Sequence, residues 1–273
     1  MIIDLHAHTD ASDGELPLSA LIDNARIASV NVLAITDHDL THSRMQLQQL
    51  CNDQITIIGG IEFSTTWRKI GVHVVGLNID PESVSIAEGV KRQQTIRLER
   101  AERIASRLAR LGIPTPLEGA RKMATGSYIG RPHFARYLVE SGFARTETKA
   151  FKRYLGAGKP GDVKHLWPAM DLIIDWIKEA GGIAVLAHPM KYKLTRSKLN
   201  ELCREFKAAG GQAIEVVSGA QAAADTAYLS SICREGNFLA SCGSDFHRPD
   251  QSWASLGRFP AIPSTCTPVW DSW

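Results

Sequence analysis

Cysteine is scarce and scattered. Cys51, Cys203, Cys233, Cys242 and Cys266 are the only five in 273 residues, and no two form a CxxC pair, which excludes a zinc ribbon and a dithiol redox motif. Isolated thiols of this kind fit a reducing compartment, where they pack as small apolar residues, so a cytoplasmic location is the expectation. The opening run Met1-Ile2-Ile3-Asp4 has no basic stretch ahead of an apolar one, and no secretory leader is expected. No apolar run reaches the length of a bilayer span, so no membrane partner is expected. Net charge is also small: 31 Lys and Arg against 29 Asp and Glu leave +2. That is too little to argue for a membrane surface, and it does not decide for or against nucleic acid. Nothing in the chain calls for an obligate protein partner.

What is present is an alternation of short apolar runs with helix-length amphipathic stretches. Strands are expected at 2–5, 32–36, 55–59, 72–77, 183–187, 213–217 and 238–242, separated by helices such as 17–29 and 43–50. Such βα alternation argues for an α/β fold with a parallel sheet closed as a barrel. The middle breaks the pattern. From about 82 to 165 no strand is expected, and a long charged helix over 88–111 carries apolar Ile96, Ile104, Leu108 and Leu111. It stops at Gly112, with Pro114 and Pro116 beyond. Shorter helices are expected over 118–123, 132–140 and 146–155. The expected organisation is a barrel made of residues 1–81 and 166–273, with a helical insertion at 82–165.

Histidine carries the chemistry. Nine are present, and most stand at the C-terminal ends of expected strands beside a carboxylate. His6 and His8 are spaced i, i+2, so in extended chain both imidazoles point the same way and reach one ion. Asp13 follows in the next loop, and His38 lies within Asp37-His38-Asp39. Glu62 follows the third strand, His73 lies on the fourth, His188 ends the fifth, and Asp245 and His247 end the last. Active sites of such barrels gather at the C-terminal strand ends, so these nine side chains are expected to converge. Mixed imidazole and carboxylate donors suit zinc, manganese or iron without thiolate. Nine donors exceed what one ion takes, so a cluster of two or three divalent cations, with Glu62 and Asp245 as bridges, is expected. His42 and His165 stand outside the strand ends and are expected to be structural. Asp4, Asp10, Asp37 and Asp39 are expected in supporting or loop roles, with Asp37 the first candidate to fix the tautomer of a ligating histidine.

The runs His6 to Gly14, Thr36 to Asp39, Gly60-Ile61-Glu62, His73 to Asp80, Ala187-His188-Pro189 and Gly243 to His247 resemble, in that order, the motifs of the polymerase and histidinol phosphatase (PHP) family of phosphoesterases. The insertion resembles the branch that holds ribonuclease AM and the 3′,5′-nucleoside bisphosphate phosphatases, through Gln93 to Arg100, Leu117 to Ala120, Arg131 to Arg136 and Lys152 to Gly161. The resemblance implies a distorted (β/α)₇ barrel with a small helical insertion and three metals. It places His6, His8, Glu62 and Asp245 on the first, Asp13, His38 and His247 on the second, and Glu62, His73 and His188 on the third. It gives manganese as the first expectation, with zinc or iron(II) as alternatives.

The resemblance also assigns the substrate phosphate to Arg97, Arg100, Arg131 and His133. By spacing, Arg97 and Arg100 share a helix face that can fork onto a phosphate, although spacing alone favours a solvated face. Arg131 and His133 flank Pro132 at a helix start, a ready anion site with cationic neighbours. Asp162 departs from the branch, which commonly has an aromatic there. The implied reaction is in-line attack of cation-activated water on phosphorus. Its substrates are 3′,5′-nucleoside bisphosphates or short 5′-phosphorylated RNA, degraded from the 5′ end. Asp245 is a candidate to protonate the ribose leaving oxygen. The rivals are a small-metabolite phosphatase, such as one for histidinol phosphate, and a non-catalytic metal-stabilised module.

Overall fold

The computed structural model describes residues 1–163 and 166–273; the expectation for His165 lies outside them. In chain order the elements are β1 (Ile3–Asp4), α1 (Leu18–Ile27), β2 (Val32–Ile35), α2 (Arg44–Leu50), β3 (Thr56–Trp67), β4 (Ile70–Leu77), α3 (Val84–Ala109), α4 (Pro116–Lys122), α5 (Arg131–Glu140) and α6 (Glu147–Ala150), which runs on as a π-helical turn over Phe151–Leu155. Then come α7 (Met170–Glu179), β5 (Ile183–Leu186), α8 (Arg196–Ala208), β6 (Ala213–Ser218), α9 (Ala223–Glu235) and β7 (Leu239–Gly243). The seven strands form one sheet in sequence order. The Leu5 N–H donates to the Cys242 carbonyl at 3.0 Å and the His8 N–H to the Phe246 carbonyl at 2.9 Å, so the chain after β7 meets the chain after β1 and the barrel nearly closes.

The packing follows from the apolar runs. Leu5, Ala34, Ile58, Val75, Leu77, Val185 and Ala213 fill the barrel interior. α1 and α2 cover one flank with Leu21, Ile22 and Leu47. On another flank Ile173, Ile174 and Ile177 of α7, Leu202 and Phe206 of α8 and Leu229 of α9 bury the outer strand faces. A separate apolar cluster joins Ile104 and Leu108 of α3, Ala120 of α4, Phe134 and Leu138 of α5, and Leu155. Among the described residues no helix is long and apolar enough to cross a membrane.

One strand departs from the parallel expectation. β4 runs antiparallel to both β3 and β5. Only Arg68 and Lys69 separate β3 from β4, too few for the crossover a parallel pair requires. Both residues have positive φ, 46° and 75°, the backbone of a tight hairpin turn, adopted here without the glycine or asparagine that marks it in sequence. β3 is also longer than the apolar run at 55–59. Its first half pairs with β2, and its second half continues past the barrel rim as a ribbon with β4. His73, near the start of β4, therefore stands at the same rim as the C-terminal ends of the parallel strands.

α3 also differs in detail. Its buried face is Ile86, Gly89, Gln93, Arg97, Arg100, Ala101, Ile104, Ala105 and Leu108, while Leu111 is 49% exposed. Helical spacing thus carries two guanidinium groups into the buried stripe, where a solvated face would have left them outside.

Candidate active site

The donor residues reach one rim from six places in the chain. His6 and His8 lie just past β1, which is shorter than the apolar run around it. Asp13 sits in a turn pinned by Asp37, whose carboxylate accepts from the Thr9 N–H at 2.8 Å, the Thr9 hydroxyl at 2.6 Å and the Ser12 hydroxyl. Gly14 closes that turn, since a Cβ there would stand 2.5 Å from the His8 carbonyl oxygen. His38 follows β2 and bridges to Glu62, in the middle of β3. His73 lies across the ribbon from Ser64. His188 and Asp245 end β5 and β7 with φ of 29° and 54°; positive φ at such residues is a strained conformation held by its surroundings.

The nine side chains interlock. His6 Nε2 and His8 Nε2 are 3.1 Å apart, and each lies 3.3–3.5 Å from Glu62 Oε2 and Asp245 Oδ1. Glu62 also meets His38 Nδ1 at 2.9 Å, His73 Nδ1 at 2.9 Å and His188 Nε2 at 2.8 Å. Asp13 meets His247 Nε2 at 3.3 Å and His38 Nε2 at 3.7 Å. Four groups have donor atoms within 4.8 Å of one another: His8, Asp13, His38 and His247; His6, Glu62 and His188; His6, His8 and Asp245; and His38, Glu62 and His73. Together they take in all nine residues.

This donor set fits divalent cations. Two imidazoles on one ion at about 2.0–2.1 Å have their nitrogens roughly 3.0–3.4 Å apart, the spacing of His6 and His8. Glu62 Oε2 and Asp13 Oδ1 are buried without a hydrogen bond among the described residues, as oxygens reserved for a cation would be. The charges agree. Burial pushes the Glu62 carboxyl up, but His38, His73 and His6 outweigh it and hold the group well below the usual range. Asp13 is held down likewise by His38 and His247, and Asp245 by Lys191 and His6. His8 is pushed down to about 4 by burial and by the neighbouring His247. His247 is raised to about 9, because Asp13 and Asp245 overcome its burial.

Behind the donors stand Glu215 and Lys191, which the linear pattern does not mark, and Asp4, which was expected in a supporting role. Glu215 on β6 contacts His6 Nδ1 at 3.0 Å through one oxygen and accepts the His188 N–H through the other. It does what was expected of Asp37, whose partners are the 9–12 turn and His42 at 2.7 Å. Asp37 is bound to a turn adjacent in space, so it is too committed to orient a ligating ring. The trace of Glu215 in the sequence is a lone carboxylate inside the apolar run Ala213-Ile214-Glu215-Val216-Val217. Lys191 pairs with Asp245. Asp4 accepts from the Ser244 and Gly257 N–H groups at 2.8 and 3.0 Å, and burial lifts it to about 6.

A cavity of about 660 Å³ opens from this rim. Asp13, His38, His73 and His188 line it, and so do Arg97, Arg100, Arg131, Tyr128 and Trp167. Arg97 pairs with Asp39, donates to Ser64 Oγ at 2.9 Å, and lies 4.1 Å from the Tyr128 ring and 4.9 Å from the Trp167 ring. Arg100 is pushed down by burial and by the cations of Arg131 and Arg97. His133 is placed differently. It is 1% exposed, its Nδ1 accepts the Gly130 N–H at 3.0 Å, and burial lowers it to about 4. With its pKa that low, the charge at the start of α5 comes from Arg131, and His133 acts there as a neutral ring. Asp162 accepts the Gly158 N–H at 2.7 Å and lines the same cavity.

Known proteins place this architecture. The PHP domain profile matches residues 4–110. The chain is 38% identical to the 3′,5′-nucleoside bisphosphate phosphatase of Chromobacterium violaceum, covering 98% of this chain and 95% of that one. It is 40% identical to the 5′-3′ exoribonuclease Rnm of Escherichia coli, covering 100% and 94%. A solved Chromobacterium violaceum structure, described as an amidohydrolase with bound sulfate and no metal, superposes with a TM-score of 0.92 at 38% identity, over 100% of this chain and 95% of that one. A Bifidobacterium adolescentis structure at 24% identity shares the fold with a TM-score of 0.80, over 99% and 93%. With barrel, donor cluster and end-to-end similarity in agreement, the chain belongs to the PHP domain family.

Proposed function

We propose that this chain is a metal-dependent phosphoesterase of nucleotides, acting on 3′,5′-nucleoside bisphosphates and on short 5′-phosphorylated RNA from its 5′ end. The single observation that carries the reading is the 660 Å³ cavity lined both by donor residues and by the cations Arg97, Arg100 and Arg131. Its size lies within the roughly 300–1,000 Å³ of small-molecule sites. A substrate with two phosphates has one anion for the donor cluster and one for the arginines. One mononucleoside phosphate or a phosphorylated amino alcohol has only one.

His6, His8, Asp13, His38, Glu62, His73, His188, Asp245 and His247 hold two or three divalent cations, manganese first among them. The cations supply Lewis acidity toward phosphoryl oxygens and a nucleophile at neutral pH. The chain does the rest. Arg100 and Arg131 take the terminal 5′-phosphate as bidentate forks. Arg97, fixed by Asp39, holds Tyr128 and Trp167 beside the sugar and base. His133 positions the start of α5 through Gly130. The insertion at 82–165 thus serves as the substrate-anchoring unit on a barrel of 1–81 and 166–273. Asp245 is held ionised by Lys191 and His6, so it passes a proton to the departing ribose oxygen only by relaying one from the Lys191 ammonium on its outer oxygen. The names of the two relatives, a bisphosphate phosphatase and a 5′-3′ exoribonuclease, support this pairing of activities.

The test is turnover with manganese on a 3′,5′-bisphosphate, a 5′-phosphorylated oligoribonucleotide and histidinol phosphate. The first two are expected to be hydrolysed with release of a nucleoside 5′-monophosphate. Preference for histidinol phosphate over both overturns the reading.

A further inference from the structure

A second, smaller cavity lies on the other side of the metal rim. Its volume is about 170 Å³, and His188 and Lys191 line both cavities. Beyond those two it is walled by Ser218, Gln221, Ser244 and Trp253. Ser218 is 7% exposed, yet its hydroxyl has no hydrogen bond among the described residues. A buried hydroxyl of that kind is costly unless something outside the chain meets it. Trp253 is 58% exposed, an unusual place for a large indole. The walls are tied together: the Ala220 N–H donates to the Trp253 carbonyl and the Gly219 N–H to the Gly243 carbonyl, both at 2.8 Å. Gly219 has φ of 53°, and a Cβ there would stand 2.5 Å from the Trp253 carbonyl oxygen. The chain therefore builds a fixed notch beside the reacting centre, and a bisphosphate nucleotide held in the larger cavity leaves it unused.

We propose that this notch binds the second nucleotide of an RNA substrate, with its base stacked on Trp253. The inference rests on the function proposed above. In that reaction water adds to phosphorus, the bond to the 3′ oxygen of the first nucleotide breaks, and that oxygen takes up a proton. The phosphate stays on the 5′ oxygen of the second nucleotide. The second nucleotide therefore stays bonded to phosphorus and extends away from the arginine-lined cavity that holds the first, and the notch is where the shared His188 and Lys191 direct it. Its volume suits one ring system and not a whole nucleotide, so the sugar and the rest of the chain run out into solvent. An aromatic platform accepts any base, because every base has a π-face, which suits an enzyme that removes nucleotides in succession. The Ser218 hydroxyl donates to or accepts from the edge of that nucleotide. The notch is then what separates the exonuclease activity from the bisphosphatase activity within one active site.

The test compares kcat/KM on a 5′-phosphorylated dinucleotide and on the 3′,5′-bisphosphate of the same first nucleoside, for wild type, Trp253→Ala and Trp253→Phe, all with manganese. Loss of one base–aromatic stack is expected to lower dinucleotide hydrolysis about ten-fold in Trp253→Ala, with the bisphosphate rate unchanged and most of the loss recovered in Trp253→Phe. A dinucleotide with an abasic second sugar is expected to lose a similar factor in wild type and nothing further in Trp253→Ala. Equal losses on dinucleotide and bisphosphate overturn the proposal, as does an undiminished dinucleotide rate. Wild type that hydrolyses the bisphosphate and not the dinucleotide overturns it too. Wild type that hydrolyses neither overturns the function beneath it.

Discussion

Glu215 shows how one side chain beyond the donors controls the site. Its two oxygens engage His6 Nδ1 and the His188 N–H, so it keeps the His6 proton on Nδ1 and leaves Nε2 free for a cation. In Glu215→Gln the single amide oxygen satisfies the His188 N–H, and the NH₂ faces His6 Nδ1. The His6 proton then moves to Nε2, the nitrogen aimed at the cluster. Metal affinity is expected to fall about 10- to 100-fold, read by titration of the metal-free protein, with activity restored at high metal concentration. A variant with unchanged affinity overturns the tautomer argument. Proton competition at the same residues sets the pH dependence. His6, His38 and His247 are all raised in the metal-free protein, His247 to about 9. A raised folded pKa means the protonated form stabilises the metal-free fold, and that contribution is lost as pH rises through about 9. Metal uptake must displace these protons. At limiting manganese, activity is expected to rise from pH 6.5 toward 9, with the midpoint moving lower as manganese is increased; a midpoint independent of metal concentration contradicts this.

At the scale of elements, the closure of the barrel and the start of α5 carry the function. β7 approaches β1 so closely that a Cβ at Gly243 would stand 2.3 Å from His6 Cβ and 2.7 Å from its backbone nitrogen. Gly243→Ala must push the two chain segments apart, at a cost of roughly 1–3 kcal/mol, and it carries His6 and Asp245 with them. Urea unfolding is expected to show that loss together with reduced metal content; a variant as stable and as fully loaded as wild type shows that the seam tolerates movement. α5 acts on the substrate side. Arg131→Ala removes a cation from the large cavity without touching any of the nine donors, so metal content is expected to stay at the wild-type level while kcat/KM on the bisphosphate falls. On an activated ester with a single phosphate the fall is expected to be much smaller. Metal loss in Arg131→Ala contradicts the separation of phosphate binding from metal binding.

For the molecule as a whole, the large cavity makes the remote phosphate part of the reaction. Binding energy from a group far from the scissile bond can be expressed in the rate, so RNA with a 5′-phosphate is expected to be cleaved faster than RNA with a 5′-hydroxyl, and Arg131→Ala is expected to narrow the difference. Equal rates on the two ends in wild type refute a terminal phosphate pocket. Much of this was legible in the linear chain. Donors at strand ends are a local pattern: His6 and His8 two apart, His38 between two aspartates, Asp245 two before His247. Barrel strand ends converge whatever joins them, so the cluster followed from spacing and strand order. Where the backbone turned without a marked residue, the pattern failed: Arg68 and Lys69 make the β3–β4 turn without glycine, and the reversal of β4 went unread. Contacts between segments distant in sequence were also hidden. Glu215 is 209 residues from His6, and Arg97 is buried beside the cavity where Asp39 pairs with it and Ser64 Oγ accepts from it. Spacing along one segment tells which face a side chain shares. Which partner waits on that face, and so whether a charge is solvated, paired or left to meet a substrate, is decided only when the segments pack together.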